Sequence, residues 1–406
     1  MTAGRGRHRA VRAVALAGGV LLLAGCAAKP PTSTYTPHIT VAPAATSTPS
    51  AGPTPTATPS PTPTTAGDAA AVVEGMSVEQ QAGTVLMTAG TVDELPGLAA
   101  LVRGGAVGGV MIRGRSSAGV DAVAAAVRKV TSAADPALPL LVATDEEGGE
   151  VQVLSGPGFG AIPSAVDQAR ESPTALTSAT ERWGRALADA GVNLDLAPVA
   201  DTPCPANLHD NPPVADLDRN YGTDPVAAGR SVAAVVRGLA ATGVGATVKH
   251  FPGLGCVSEN TDTAAHVVDD SITVDSARLA PFSAGMTAGA RAVMVSSAIY
   301  DRIDVSRPAL FSTIVIGGLL RGRLGFRGLV MSDDVGGAAA LKAWSPGQRA
   351  TGFVAAGGDL LLDIVPGHIP AERAALVSAA GADPAFAAKL RAAAVQVVAV
   401  RLGVGR

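Results

Sequence analysis

Five apolar runs in this chain end in clusters of titratable residues: "TDEEGG", "DLAPVAD", "KHFPG", "SSAIYD" and "SDD". Asp333 follows "RGLVMS" directly, so a carboxylate stands where an apolar strand opens. A strand end holds the next residue rigidly, which suits a nucleophile or an electrostatic stabiliser. Either this residue or Asp334 could instead cap the following helix; we assign capping to Asp334 and chemistry to Asp333. Lys249 and His250 close another apolar run and offer hydrogen-bond donors to a ligand. Pro252, Gly253 and Gly255 then fix a turn and let backbone approach that ligand closely. Asp145, after "LLVAT", can accept from ligand hydroxyls as a charged group. Glu146 and Glu147 add charge there, but Gly148 and Gly149 beside them make a turn role equally open. Arg219, in "VADLDRNYGTDP", can make a bidentate ligand contact or pair with Asp216 or Asp218. Asp262 and His266 complete the set of residues placed to move protons. The six histidines are scattered, without an H-E-x-x-H or paired-cysteine spacing. His209, His250 and His266 are the set that could converge on a metal, but the pattern points to no metal and no cofactor.

These residues need elements to hold them. Strands are expected in "TVLMTA" (from Thr84), "VGGVMIR" (from Val107), "PLLVATD" (from Pro139) and "GVNLDLAPVAD" (from Gly191). Four more are "GVGATVKH" (from Gly243), "RAVMVSSAIY" (from Arg291), "RGLVMSDD" (from Arg327) and "GDLLLDIV" (from Gly358). Amphipathic stretches such as "GVDAVAAAVRKVTSAA" and "PVAAGRSVAAVVRGLAATG" separate them. Continuous apolar strands alternating with helices indicate a parallel sheet covered on both faces. Eight repeats favour an α/β fold of the (β/α)8 barrel type, in which all strand C-termini converge on one mouth. No G-x-G-x-x-G or P-loop follows any of these strands.

The rest of the chain sets the context. Residues 1–25 carry four arginines and no acid, followed by "AVALAGGVLLLAG", which is short for a membrane span and suits a signal peptide. The run ends in "LAGC", which resembles the bacterial lipobox, with Cys26 as the lipidated residue. Residues 26–66 are rich in Pro, Thr, Ser and Ala; with few large apolar groups to bury, they are expected to form an extended tether. Residues 67–406 are then the folded domain. Without the four N-terminal arginines, 27 basic residues face 34 acidic ones, a balance of −7 that argues against nucleic acid as a partner. Aromatic residues make up 3% of the chain, too few to pave a long cleft with stacking rings. Cys204 and Cys256 lie in separate loops, each after an expected strand, and in an exported protein they are expected to form a disulfide. A monomer is expected.

"TDEEGGEVQ", "GVNLDLAPVAD", "DRNYGTDP", "KHFPGLG" and "GLVMSDD" together resemble glycoside hydrolase family 3, in particular its single-domain bacterial β-N-acetylglucosaminidases. The resemblance implies a (β/α)8 barrel and a retaining β-N-acetylhexosaminidase acting on small glycans or muropeptide-type cell-wall fragments. It implies Asp333 as the nucleophile and Asp145, Arg219, Lys249 and His250 as sugar ligands. Two features depart from the pattern. Where the family reads D-x-E-G-G-R-V-x-R, the two arginine positions hold Glu150 and Val153. Where it carries an Asp-x-His dyad, Asp262 is followed by Ala264. The acid/base is therefore Asp262, Glu259 or His266. Alternatives are a glycan-binding lipoprotein with weak catalysis, a phosphorylase and a β-glucosidase.

Overall fold

The computed structural model describes residues 64–404. The segments read as signal peptide and tether, with Cys26, lie outside the described residues up to residue 63. The first helix spans Thr64–Glu74, so the last three residues assigned to the tether are helical.

Eight parallel strands form the sheet: β1 (Leu86–Gly90), β2 (Gly109–Ile112), β3 (Leu141–Thr144), β4 (Leu194–Asp195), β5 (Gly245–Phe251), β6 (Ala292–Val295), β7 (Leu329–Ser332) and β8 (Leu361–Asp363). Each pairs with its neighbours in chain order, and β8 pairs with β1. The ring closes between β7 and β8. There Ser332 N donates to Leu360 O (3.0 Å), and Asp359 N and Leu360 N donate to Val330 O (2.8 and 3.1 Å). The fold is a (β/α)8 barrel, and all eight apolar runs read from the sequence are its strands. Every strand residue is buried, because one side faces the barrel interior and the other faces helices.

Helices begin where local chemistry lets them. Ser172, Asp224 and Ser345 each accept a backbone N–H with their side chains, and each precedes a proline at the first helical turn. These caps start Pro173–Asp189, Pro225–Ala240 and Pro346–Ala356. One connection departs from α-helical winding: Ile314–Arg323, between β6 and β7, is a π-helix. Two small additions decorate the strand ends. A hairpin of Glu146–Gly148 and Val151–Gln152 follows β3, and Val268–Asp269 pairs in parallel with Ile299–Tyr300, tying the loop after β5 to the loop after β6.

The mouth is floored by apolar side chains. Met111, Leu196, Met294 and Leu362, on or just after the even-numbered strands, line the base of the central cavity. Ala143 pairs with Met111 and Met331 with Met294, so Asp145 and Asp333, two residues further along, stand one layer above that floor. The register thus delivers polar groups from odd strands onto an apolar base.

Candidate active site

The cavity at the C-terminal mouth holds about 420 Å³ and is lined by Asp145, Arg219, Lys249, His250, Asp262 and Asp333, among others. Asp333 remains tied to the sheet, its N–H donating to Val295 O (3.0 Å), and its Oδ1 accepts from Asp334 N (2.9 Å). Burial raises the Asp333 carboxyl to about 6; the His250 charge opposes the rise and Asp262 adds to it. Asp334 does not cap the following helix, a task that falls to Ser345. It accepts instead from Gly336 N, Gly337 N and Ile364 N (2.8, 2.8 and 3.0 Å), joining the loops after β7 and β8.

Lys249 Nζ donates to Asp145 Oδ1 (2.5 Å) and to Glu147 Oε1 (2.6 Å). Arg219 forks onto Glu147, Nε to Oε2 at 2.8 Å and Nη2 to Oε1 at 2.7 Å, while Nη1 donates to Pro213 O. The alternative pairing of Arg219 with Asp216 or Asp218 is not found; Glu147, on the hairpin after β3, is its partner. Burial alone would raise Glu147, but Arg219 and then Lys249 hold it down at about 2. Burial would correspondingly lower Lys249, and the charges of Asp145 and Glu147 raise it instead. Two cations and two carboxylates thus balance in the wall of the cavity, with Lys249 and Glu147 buried and Asp145 and Arg219 partly exposed, and Glu147 lies in a hairpin strand, not in the turn.

His250 Nδ1 donates to Asp201 Oδ2 (2.7 Å), leaving Nε2 as the ring's other polar atom. Asp201 also accepts from His250 N and from Leu254 N (2.9 Å), so one buried carboxylate orients the imidazole and the start of the next loop. The peptide bond between Lys249 and His250 is cis, and both side chains line the cavity. His209 and His266 are exposed, so the three histidines do not gather around a common point.

The loop from Pro252 to His266 is fastened along its length. Cys204 and Cys256 form a disulfide, and Cys204 N donates to Gly255 O (2.9 Å). Asn211 Nδ2 donates to Leu254 O and Val257 O (2.8 Å each), and Tyr300 Oη donates to Gly253 O (2.9 Å). At the apex, Ala339 N donates to Asp262 O (3.2 Å) and Ala340 N to Thr261 O (3.0 Å). Arg349 secures the receiving segment by donating to Val335 O, Leu341 O and Trp344 O. Asp262 is therefore held at the rim over the mouth that contains Asp333. Glu259 and His266 are exposed and do not line the cavity.

A rigid carboxylate near a second, more exposed one, in a pocket walled by donors and acceptors, is equipped to cleave a glycosidic bond. Residues 82–398 match the model of the glycosyl hydrolase family 3 N-terminal domain. The chain belongs to glycosyl hydrolase family 3. It is a glycoside hydrolase. A β-hexosaminidase of Stenotrophomonas maltophilia (strain R551-3) is 37% identical over 272 residues, covering 63% of this chain and 76% of the relative. The crystal structure of a β-N-acetylhexosaminidase from Beutenbergia cavernae superposes with a TM-score of 0.77 at 44% identity, covering 80% of this chain and 98% of that one. A β-N-acetylglucosaminidase from a Paenibacillus species superposes at 0.72 with 28% identity, over 82% of this chain and 64% of that one.

Within this family 3 enzyme, Asp201, Asn211 and Arg349 are site-building residues that the sequence does not single out, and Glu147 is one whose role it leaves open. Asp201 and Asn211 act through partners more than 40 residues away in the chain, whereas Arg349 holds backbone carbonyls 5 to 14 residues before it. Neither departure from the family pattern puts a second arginine into the wall: Val153 is buried, and Glu150 is exposed beside Arg115.

Proposed function

We propose that this chain is a retaining, exo-acting β-N-acetylglucosaminidase that removes terminal N-acetylglucosamine from small cell-wall fragments of the muropeptide type. The observation that supports it most is the half-buried Asp333 sharing with His250 a cavity with room for about one sugar, with Asp262 at the rim. Asp333 Oδ donates an electron pair to the anomeric carbon as the bond to the leaving oxygen breaks. Asp262 supplies the proton that leaves with that oxygen. Asp262 then takes a proton from water, whose oxygen attacks the same carbon and releases Asp333. Two inversions give net retention. Asp145, Arg219, Lys249 and His250 hold the sugar, the first three in one network that Glu147 balances.

The test is release of phenol from an aryl β-N-acetylglucosaminide by the purified chain. Turnover in the wild type and its loss in Asp333→Ala support the reading; equal release by both sinks it. A pH–rate profile of Asp262→Asn beside Glu259→Gln and His266→Ala identifies the acid/base, whose removal abolishes the alkaline limb. Saturable sugar binding without turnover would favour glycan capture instead, the reading suggested by Ala264 where the family places histidine. We further propose that Cys26 is lipidated and that residues 27–63 tether the barrel outside the membrane. Cys26→Ala should then move the protein from the membrane fraction to the soluble one; an unchanged distribution refutes the anchor.

A further inference from the structure

We propose that Arg113 reads the substrate: with Asp145 it grips the hydroxyl-bearing edge of the terminal sugar that lies farthest from the bond being cut. The proposal rests on the glycosidase reading above. Arg113 follows β2 directly, and its N–H donates to Gly90 O (3.0 Å), so its backbone is fixed to the end of β1. Its Nη2 donates to Glu94 Oε2 (3.0 Å), an oxygen that also accepts from Thr91 N (2.9 Å). The guanidinium is therefore oriented by the turn after β1. Although 38% of the side chain is exposed, its Nε is shut off from solvent and has no hydrogen-bond partner. Arg113 lines the same cavity as Asp145 and Asp333. The other two cations lining it, Arg219 and Lys249, are already bonded to Glu147 and Asp145.

An Nε closed to water is closed to a sugar hydroxyl as well, so a ligand meets the exposed Nη end of the guanidinium, which the Glu94 contact holds toward the cavity. The barrel says which part of the ligand that is. Around the eight-stranded ring, β2 and β3 stand three and four strands from β7, so Arg113 and Asp145 face Asp333 across the mouth. With the anomeric carbon at Asp333, the opposite edge of the pyranose, carrying the hydroxyls of C3 and C4, meets the β2–β3 wall. Each hydroxyl both donates and accepts. Asp145 can only accept and Arg113 can only donate, so the two complement a single hydroxyl or a vicinal pair. Arg113 is thus a determinant of which terminal sugar is accepted, and the reacting centre does not depend on it for its protons.

The experiment crosses substrate with enzyme. The full chain is assayed on an aryl β-N-acetylglucosaminide and on its 3-deoxy and 4-deoxy analogues, as wild type, Arg113→Met, Arg113→Lys and Glu94→Gln. In the wild type, removing a hydroxyl that Arg113 contacts should lower kcat/KM by roughly 10- to 100-fold. Arg113→Met should lower the parent substrate by a similar factor, with little further loss on that deoxy analogue. Glu94→Gln should show a smaller loss of the same pattern. If Arg113→Met lowers all three substrates equally, or leaves the parent unchanged, the proposal is overturned. Melting curves report whether the variant folds. Should Arg113→Met not fold, Arg113→Lys carries the same comparison, because lysine keeps the charge but cannot hold Glu94 and present a second nitrogen to the sugar at once. If the wild type turns over none of these substrates, the glycosidase reading itself has failed. The cycle is then run by calorimetric binding of N-acetylglucosamine and its deoxy analogues, and equal losses for all of them still overturn the role of Arg113.

Discussion

At the scale of single residues, Asp333 meets two opposed demands. Burial raises its carboxyl from 3.8 to about 6, with His250 pulling down and Asp262 pushing up, yet the nucleophilic role proposed for it requires the ionised form. We therefore expect kcat/KM to rise with pH through about 6 and to be lost below it, as a pH–rate profile will show. The same shift carries a stability consequence. A carboxyl whose folded value lies above its unfolded value stabilises the fold when protonated; that contribution is present below about pH 4 and lost as pH rises through about 6. Asp333→Asn should abolish turnover while stabilising the protein by the order of 1–3 kcal/mol at pH 7. The gain should shrink to near zero at pH 4. Denaturant unfolding at the two pH values measures it, and a variant no more stable than wild type at pH 7 contradicts the burial argument. Asp333 itself could be picked out from the bare sequence, because an apolar strand running straight into a carboxylate is a local pattern. Its environment could not, since His250 and Asp262 reach it from 83 and 71 residues away.

At the scale of elements, the loop from Pro252 to His266 works only because other loops fasten it. A Cβ at Gly255 would lie 2.2 Å from Thr202 O, so Gly255→Ala must push apart the two segments that the Cys204–Cys256 disulfide joins. This should loosen the hold on Asp262 while leaving Asp333, on the sheet, in place. The expected signature depends on the leaving group. Nitrophenol departs without a proton, whereas a sugar alkoxide needs one, so Gly255→Ala should lower kcat by roughly tenfold or more on a disaccharide and much less on a nitrophenyl glycoside. Equal losses on both substrates would mean that the loop does not serve proton transfer. Removing the disulfide with Cys204→Ser and Cys256→Ser should show the same leaving-group bias, together with a stability loss of about 2–4 kcal/mol. The strands were readable because each carries an apolar run bounded by Gly, Pro or Arg, and the cysteine pair because the two cysteines each follow a strand in its own loop. The fastenings were not. Asn211 reaches Leu254 and Val257, and Asp201 reaches His250, through hydrogen bonds between residues that nothing in their local sequence connects. For the same reason Asp334, expected as a helix cap, instead ties the loops after β7 and β8, and Glu147, open between charge and turn in the sequence, is the counter-ion of Arg219.

At the scale of the whole molecule, the mouth and the opposite end of the chain are separate problems. Chemistry is confined to strand C-termini and their loops, while the first described helix, Thr64–Glu74, packs against the last, Pro384–Leu402. Ala69 and Val73 of that first helix are fully buried, and neither they nor any residue of Pro384–Leu402 lines the catalytic cavity. A barrel divides its labour in this way, with stability spread through the ring of helices and reactivity carried by loops. Shortening the chain should expose the division. Removing residues 1–58 leaves this helix whole and should change neither the melting temperature nor kcat/KM. Removing residues 1–76 uncovers the apolar face that Ala69 and Val73 cover, and burial of about one large and one small aliphatic side chain corresponds to roughly 2–4 kcal/mol. For a folded domain of this size, that loss should lower the melting temperature by several degrees. Measured well below that new midpoint, kcat/KM should stay within about twofold of the full chain, because Asp333 and the loops around it make no use of the helix. A large fall in kcat/KM with an unchanged melting temperature would show that the amino-terminal helix acts on the mouth, and the division between the two ends of the molecule would have to be abandoned.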